Sequence, residues 1–322
     1  TFGVFVSDNV LASSASFGVC IFLTGYIVAK GVKDGLEKYN FILMPLLFII
    51  FIGLFFYAMT VDSFGQAVDF LFSFNMNAIN TDVIIMALSQ MFFSLSIGVG
   101  TIITYSSSAK KGDNLLSSSA WVALSGIVIS LIAGIIIFTF LFNYGQSASS
   151  GPGMLFKSIP LVFSQMAYGN IVSFLFFAAV LFAGITSTIS ILEPPVAYLS
   201  DNYNISRPKA SYLLCVAIFA VGLLVILSLT EDYGPYLTFF GKGFMDWIDF
   251  FTAAIIMPLG ALLALIFLGF VVSKKVVYRF VKGFMSRTIF NIWYFIIKYI
   301  ATLVIVIVLI AKFVETFAKA AN

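Results

Sequence analysis

Long unbroken runs of apolar residues constrain this chain more than any other feature. A spanning α-helix needs about 20 mostly apolar residues. Eight such runs can be read, at about 12–30, 36–60, 82–107, 117–143, 170–200, 208–230, 244–272 and 289–315. Their apolar residues are continuous, whereas the strands of a membrane barrel alternate over about ten residues, so helices are predicted. Composition agrees: 61% of the 322 residues are hydrophobic and only 10% are charged, against about a quarter charged in an ordinary soluble domain. The predicted class is an all-α polytopic membrane protein embedded in a lipid bilayer.

The sparse charges carry the orientation. Alternate loops hold Lys30, Lys33 and Lys38; Lys110 and Lys111; Arg207 and Lys209; and Lys274, Lys275, Arg279, Lys282 and Arg287, which together are 12 of the 17 basic residues. Those loops are assigned to the cytoplasm. Both chain ends are then expected outside, as in a chain that lacks an odd number of preceding helices. The opening "TFGVFVSDNV" starts with Thr and has neither the basic start nor the cleavage site of a signal peptide. The stretch 143–169 is too polar and broken to span, and is expected to form a short re-entrant or surface helical pair. Residues 61–80, with Asp62 and Asp69 and with Asp82 nearby, read as an exterior connection. There are no histidines, which removes imidazole catalysis, ligation and pH sensing. Cys20 and Cys215 lie in apolar segments and read as buried thiols. A net charge of +3 gives no argument for nucleic acid. No nucleophile–base pair or phosphate loop suggests an enzyme, and no filter-like sequence suggests a channel.

One apolar run is weakened at its middle. "QMFFSLSIGVG", residues 90–100, places Ser94, Ser96, Gly98 and Gly100 at membrane depth. Small residues spaced four apart allow close helix packing, and a simple kink is a second reading. The third is a broken helix whose freed backbone groups and hydroxyls hold a solute. Gln90, Ser94 and Ser96 favour the third, with Phe92 and Phe93 available as an apolar wall. A second polar cluster is "FAGITSTISILEPP", residues 182–195, where Thr186, Ser187, Thr188 and Ser190 follow Gly184. Such hydroxyls can bond back to their own helix. Several neutral oxygens together also suit a hard monovalent cation, for the reason that oxygens suit calcium and magnesium. Glu193 is either a functional group, the default for an ionisable residue at this depth, or a side chain snorkelling to the inner surface. Asp246 and Asp249 share a helix face at the outer mouth of the seventh run.

These residues resemble a known family. "ALSQMFFSLSIGVGTIITYSS" (87–107) and "LFAGITSTISILEPPVAYLSD" (181–201) resemble the sixth and eighth helices of the neurotransmitter:sodium symporters, especially bacterial amino-acid transporters. "KGVKDGLEKYNFILMPLLF" (30–48) resembles the start of the fifth, "FMDWIDFFTAAIIMPLGALL" (244–263) the tenth and "IWYFIIKYIATLV" (292–304) the eleventh. The resemblance is collinear along essentially the whole chain. It implies a partial LeuT-like inverted-repeat fold with family helices four to eleven: the last two helices of the first repeat over 12–60, the second repeat over 82–272 and an additional C-terminal helix over 289–315, as a single transmembrane domain of residues 1–322. By this resemblance, the family's first three helices are expected to be missing from the sequence.

By resemblance, Phe93, Ser94, Ser96 and Val99 match substrate-lining positions of the sixth helix, and Ser187 and Ile191 those of the eighth. Val99 stands where many relatives have a larger aromatic. One sodium site is implied by the Ala183 carbonyl and the Thr186 and Ser187 hydroxyls. Another uses the Ser94 hydroxyl and a seventh-helix asparagine, but Gly126 stands in that asparagine's place. Ser130 falls where chloride-dependent members hold serine, so Gln90, Ser94 and Ser130 are chloride candidates. Asp249 and Asp201 match outer- and inner-gate acids whose arginine partners belong to absent segments. Gly35 and Pro45 match a motif associated with unwinding of the fifth helix. The implied activity is sodium-coupled uptake of a neutral amino acid by alternating access, in the inner (plasma) membrane of a bacterium as a multi-pass protein. The substrate carboxylate is favoured at a half-helix N-terminus. The alternative is a truncated or inactive membrane-embedded protein that keeps the amino-acid pocket for binding or assembly without transport.

Overall fold

The computed structural model describes residues 9–107, 109, 113–148, 154–166 and 168–321, with side chains except at 82 and 315–321. The basic residues Lys110 and Lys111 therefore lie outside the described residues.

Helices account for nearly all regular structure. They are α1 (Val10–Ala29), α2 (Lys38–Ala58), α3 (Phe64–Phe72), α4 (Thr81–Ser94), α5 (Thr101–Ser107), α6 (Leu115–Asn143), α7 (Ile159–Gln165), α8 (Gly169–Tyr203) and α9 (Arg207–Ser228). After a two-stranded antiparallel hairpin, β1 (Thr238–Phe239) and β2 (Lys242–Gly243), come α10 (Phe244–Asp249), α11 (Met257–Ile266), α12 (Lys274–Val281), α13 (Arg287–Phe295) and α14 (Thr302–Ala321). π-helical turns at Val32–Glu37, Phe250–Ile256 and Ile296–Ala301 join successive α segments into longer rods. Among the described residues, seven helices are long and apolar enough to cross a membrane: Val10–Ala29, Val32–Ala58, Leu115–Asn143, Gly169–Tyr203, Arg207–Ser228, Phe244–Val271 and Arg287–Val314. Each falls on an expected run. The remaining run, 82–107, is two helices, α4 and α5, separated by the non-helical stretch 95–100.

The chain folds as two compact units. The first comprises residues 1–74 and 127–237, the second 75–126 and 238–322. In the first, α1 and α9 pack through small residues. A Cβ on Gly25 would fall on the Cys215 sulfur, the Ser211 hydroxyl donates to the Gly25 carbonyl at 2.7 Å, and Phe17 stacks on Phe219 at 5.7 Å. Apolar side chains drive no preference for protein over lipid, so close backbone approach and interhelical hydrogen bonds supply the association. Cys215 is buried and Cys20 half-buried, and both are free thiols. The core of this unit gathers Phe51 and Leu54 of α2, Ile136 and Phe140 of α6, Val162 and Phe163 of α7, and Phe176 of α8. Thus α7, inside the 143–169 stretch, turns Ile159, Val162 and Phe163 into the core. In the 61–80 connection, α3 buries Ala67.

α8 is the hub of the first unit. Its buried face carries Ile189, Leu192, Glu193 and Val196. Glu193, only 1% exposed, accepts from Arg207 at 2.6 Å, and Arg207 also donates to the Val28 carbonyl at 3.2 Å. The carboxylate neither snorkels nor lines an open site; it is a buried partner that joins α8, the start of α9 and the end of α1. Removing one member of such a pair strands the other charge in low dielectric, which costs about 3–5 kcal/mol. Arg207→Met is therefore expected to lower the thermal midpoint of the detergent-purified protein markedly, and Arg207→Met with Glu193→Leu to recover most of the loss, as read by temperature-dependent size-exclusion chromatography.

Candidate functional site

In the second unit, the Asn80 side chain accepts from the Val83 amide at 2.9 Å and starts α4. α4 runs regularly to Ser94. The amides of Leu95, Ser96 and Ile97 then close tight turns onto the carbonyls of Met91, Phe93 and Phe92, at 3.0, 3.1 and 3.0 Å. Beyond them the backbone leaves the helical region: φ is 49° at Ser96, 92° at Gly98 and 89° at Gly100. The helix resumes when the Thr104 amide and hydroxyl both reach the Gly100 carbonyl, at 2.9 and 3.1 Å. Among the described residues, the amides of Gly98 and Val99 donate no backbone hydrogen bond. The stretch is thus a true interruption rather than a kink.

Packing holds it open. A Cβ on Gly98 would fall on the Met257 carbonyl of α11, and a Cβ on Gly260 would fall on the Gly98 carbonyl. Gly98 is required twice, for its positive φ and for this approach. Close packing and a broken helix, which the spacing alone left as rivals, are the same device here. Phe92, 3% exposed, anchors the break against Ala261 and Ile305. Phe92 also lines the apolar cavity beside the break, whereas Phe93, 62% exposed, does not line it. Gln90, Phe93 and Ser94 are exposed on one face of α4, as spacings of three and four require. Ser96 and Gly98 instead line an apolar cavity of about 380 Å³ with Met91, Ile97, Leu265 and Val304. Val99 is half-buried.

In the first unit, α8 passes unbroken through 182–195 despite Pro194 and Pro195. The face opposite Glu193 is open: Gly184, Ser187 and Ile191 are exposed. The Thr186 hydroxyl donates to the Ala183 carbonyl at 3.0 Å and Ser190 to Thr186 at 2.9 Å, so part of the cluster does bond back to its own helix. Thr188 also bonds back, to the Ile185 carbonyl at 3.0 Å, and pairs with Thr24 of α1 at 2.9 Å between hydroxyls. A donating hydroxyl keeps lone pairs free. Ala183, Thr186 and Ser187 therefore present three neutral oxygens within one turn of α8, a donor set that fits a hard monovalent cation.

Comparison with known proteins adds to this geometry. Residues 9–322 match the model of the sodium:neurotransmitter symporter family. The chain belongs to the sodium:neurotransmitter symporter family. It is 33% identical over 305 residues to the uncharacterized sodium-dependent transporter YhdH of Bacillus subtilis, covering 94% of this chain and 67% of that protein. It is 32% identical to an uncharacterized sodium-dependent transporter of Haemophilus influenzae, covering 89% of this chain and 62% of that one. Among solved structures, it superposes on MhsT in complex with L-phenylalanine with a TM-score of 0.85 and 33% identity, over 97% of this chain and 70% of MhsT. The chain thus spans about two thirds of the length of these relatives, and its fold is the LeuT-like helical fold of multi-pass membrane proteins.

The other candidate positions of this symporter-family chain are placed as follows. Gly126 lies in α6 with open space where a side chain would stand. Ser130, four residues on, is exposed. The Asp246 carboxylate is occupied in capping, accepting from the Gly243 amide at 3.3 Å. Asp249 is exposed at the end of α10, and Asp201 in the last turn of α8. Gly35 is buried against the Ile27 carbonyl inside the π-helical turn that opens the second apolar helix, and Pro45 sits within α2. That segment is wound in this structure. Two features had no sequence signal that stood out: the fit of Gly260 to Gly98, and the pairing of Glu193 with Arg207 across a turn. Gly98→Ala is expected to cost at least about 2 kcal/mol through strain and collision. Ser96→Gly removes a left-handed residue that costs about 1 kcal/mol, so it should leave the thermal midpoint unchanged or raised when the two are compared in one melting series.

Proposed function

We propose that this chain is the core of a secondary active transporter that couples inward sodium movement to uptake of a neutral amino acid by alternating access. The observation that carries the reading is the interruption at 95–100 in an apolar helix, with hydroxyl-bearing Ser94 and free amides at Gly98 and Val99 at membrane depth. Exposed polar backbone in hydrocarbon is tolerated only where it lies against protein or lines a polar cavity, and this family is the reference case for solute binding at such breaks. Phe93, Ser94, Ser96 and Val99 on the break, and Ser187 and Ile191 on α8, are assigned to the substrate. Ala183, Thr186 and Ser187 are assigned to sodium, with Ser94 at a second sodium position that Gly126 leaves short of a ligand. Gln90, Ser94 and Ser130 are assigned to chloride.

Sodium drives the cycle by binding competing states unequally, since a ligand with equal affinity for both shifts nothing. An inward-negative potential adds about 2.3 kcal/mol per charge per 100 mV. Asp249, Asp201 and the Gly35–Pro45 segment are read as gating elements. The repeat division expected from the resemblance, 12–60, 82–272 and 289–315 in one transmembrane domain, belongs to the same proposal, as does placement in a bacterial plasma membrane.

Proteoliposomes containing the protein, loaded with potassium and bathed in sodium, test the reading with radiolabelled amino acids. Phenylalanine comes first, because MhsT was solved with it. Accumulation is expected in sodium and not in choline. Thr186→Val should raise the half-saturating sodium concentration roughly tenfold, the loss of one ligand interaction of about 1.4 kcal/mol. Gly126→Asn should lower it, since the space is open. Replacing chloride with gluconate reads the chloride assignment. Amino-acid binding without any uptake would instead favour a membrane-embedded binding or assembly protein.

A further inference from the structure

α12, "KKVVYRFV", links the apolar helix that ends at Val271 to the one that starts at Arg287. Its residues divide among three faces rather than two. Val277 packs with Met285, Phe290 and Tyr294, and Tyr278 and Val281 join the same cluster. Tyr294 donates to the Gly269 carbonyl at 2.9 Å and ties this cluster to the preceding helix. Lys274 extends over the rings of Phe290 and Tyr294, at 5.8 and 5.4 Å. These contacts fix how α12 is rotated.

The rotation leaves two stripes uncovered. Lys275, Arg279 and Lys282 are exposed on one side. Val276 and Phe280, four apart, are exposed on another, with Phe280 77% uncovered. At about 100° per residue the two stripes lie side by side. Arg287 opens α13 a few residues later, also exposed. Residues 250–314 contain no Asp or Glu, and among the described residues no carboxylate pairs with Lys275, Arg279, Lys282 or Arg287. The charge on this segment is therefore not neutralised by the segment itself.

An aqueous surface gives no reason to hold a phenylalanine out beside a row of cations. The headgroup layer does: the ring enters the acyl boundary while the cations remain at the phosphates. Loops this rich in lysine and arginine face the cytoplasm, whose leaflet carries the anionic lipids that attract such clusters. We propose that α12 is an interfacial helix that collects anionic phospholipids of the cytoplasmic leaflet, with Phe280 and Val276 inserted and Lys275, Arg279, Lys282 and Arg287 on the headgroups. The helix would then moor the link between its two apolar neighbours to the membrane plane, independently of what the protein transports.

Phe280→Trp supplies a local probe, read as the fluorescence difference from the parent protein in nanodiscs. Brominated phosphatidylglycerol and brominated phosphatidylcholine are compared at equal mole fraction. The expected result is quenching by both, at least about twofold stronger with phosphatidylglycerol, with the preference lost in high salt. Adding Lys275→Gln, Arg279→Gln and Lys282→Gln should abolish the preference while quenching by phosphatidylcholine persists, which shows that the helix is still folded and inserted. Equal quenching by the two lipids in the Phe280→Trp protein overturns the anionic preference. No quenching by either overturns insertion, as would be found if a soluble acidic partner were the occupant. A preference that survives the three substitutions overturns the assignment of the cations.

Discussion

Everything distinctive in this chain follows from what hydrocarbon does to an unpaired amide. An apolar helix hides its backbone by pairing each group four residues along, so an interruption in its middle exposes donors and acceptors where no water waits. Between Ser94 and Thr101 the chain accepts that exposure. Leu95, Ser96 and Ile97 recover part of it by bonding back into the last turn of α4. Gly98 seats its backbone directly on α11, at a spot cleared by Gly260, although its amide donates no backbone hydrogen bond. Ser96, held at φ 49°, keeps a modest strain that persists only because Phe92 and its neighbours pin both sides of the turn. What remains unpaired is then a stable feature of the fold.

The first compact unit meets the same solvent by another route. α1 and α9 associate through Gly25, Ser211 and Cys215, because lipid competes equally well for apolar side chains. That economy sorts the faces of α8. One face is fully used, by Ile189, Leu192, Val196 and the Glu193–Arg207 pair, while the opposite one, with Ser187 and Ile191, is left open. Hydroxyls on the used side are consumed, as Thr188 is by Thr24. Those near the open side keep acceptor capacity. The same small polar residue type is therefore used in packing or left accessible according to the face it occupies.

How far the site could be read in advance depended on which neighbours decided it. The Ser–Gly pattern at 94–100 marked the break, and the run of hydroxyls at 186–190 marked α8, because both depart locally from what a lipid-facing helix needs. Choosing between packing and breaking was beyond spacing, since small residues permit both, and the fold uses Gly98 for both. Phe92 and Phe93 are adjacent and chemically alike, yet one is buried at the cavity wall and the other exposed; only the position of α11 and α14 separates them. Glu193 looked functional by depth, and its role turned on a guanidinium in the next helix. Asp246 and Asp249 share a face, but one is absorbed in a cap and the other is not.

The sequence by itself determined the class, the apolar runs and the identity of the weakened helix, because these depend on local apolar length and departures from it. Tertiary structure alone decided which polar groups stay available. Availability depends on which other groups come close in space, as the Met257 backbone packs against Gly98 and the Val28 carbonyl accepts from Arg207, and no pattern confined to one segment encodes that approach.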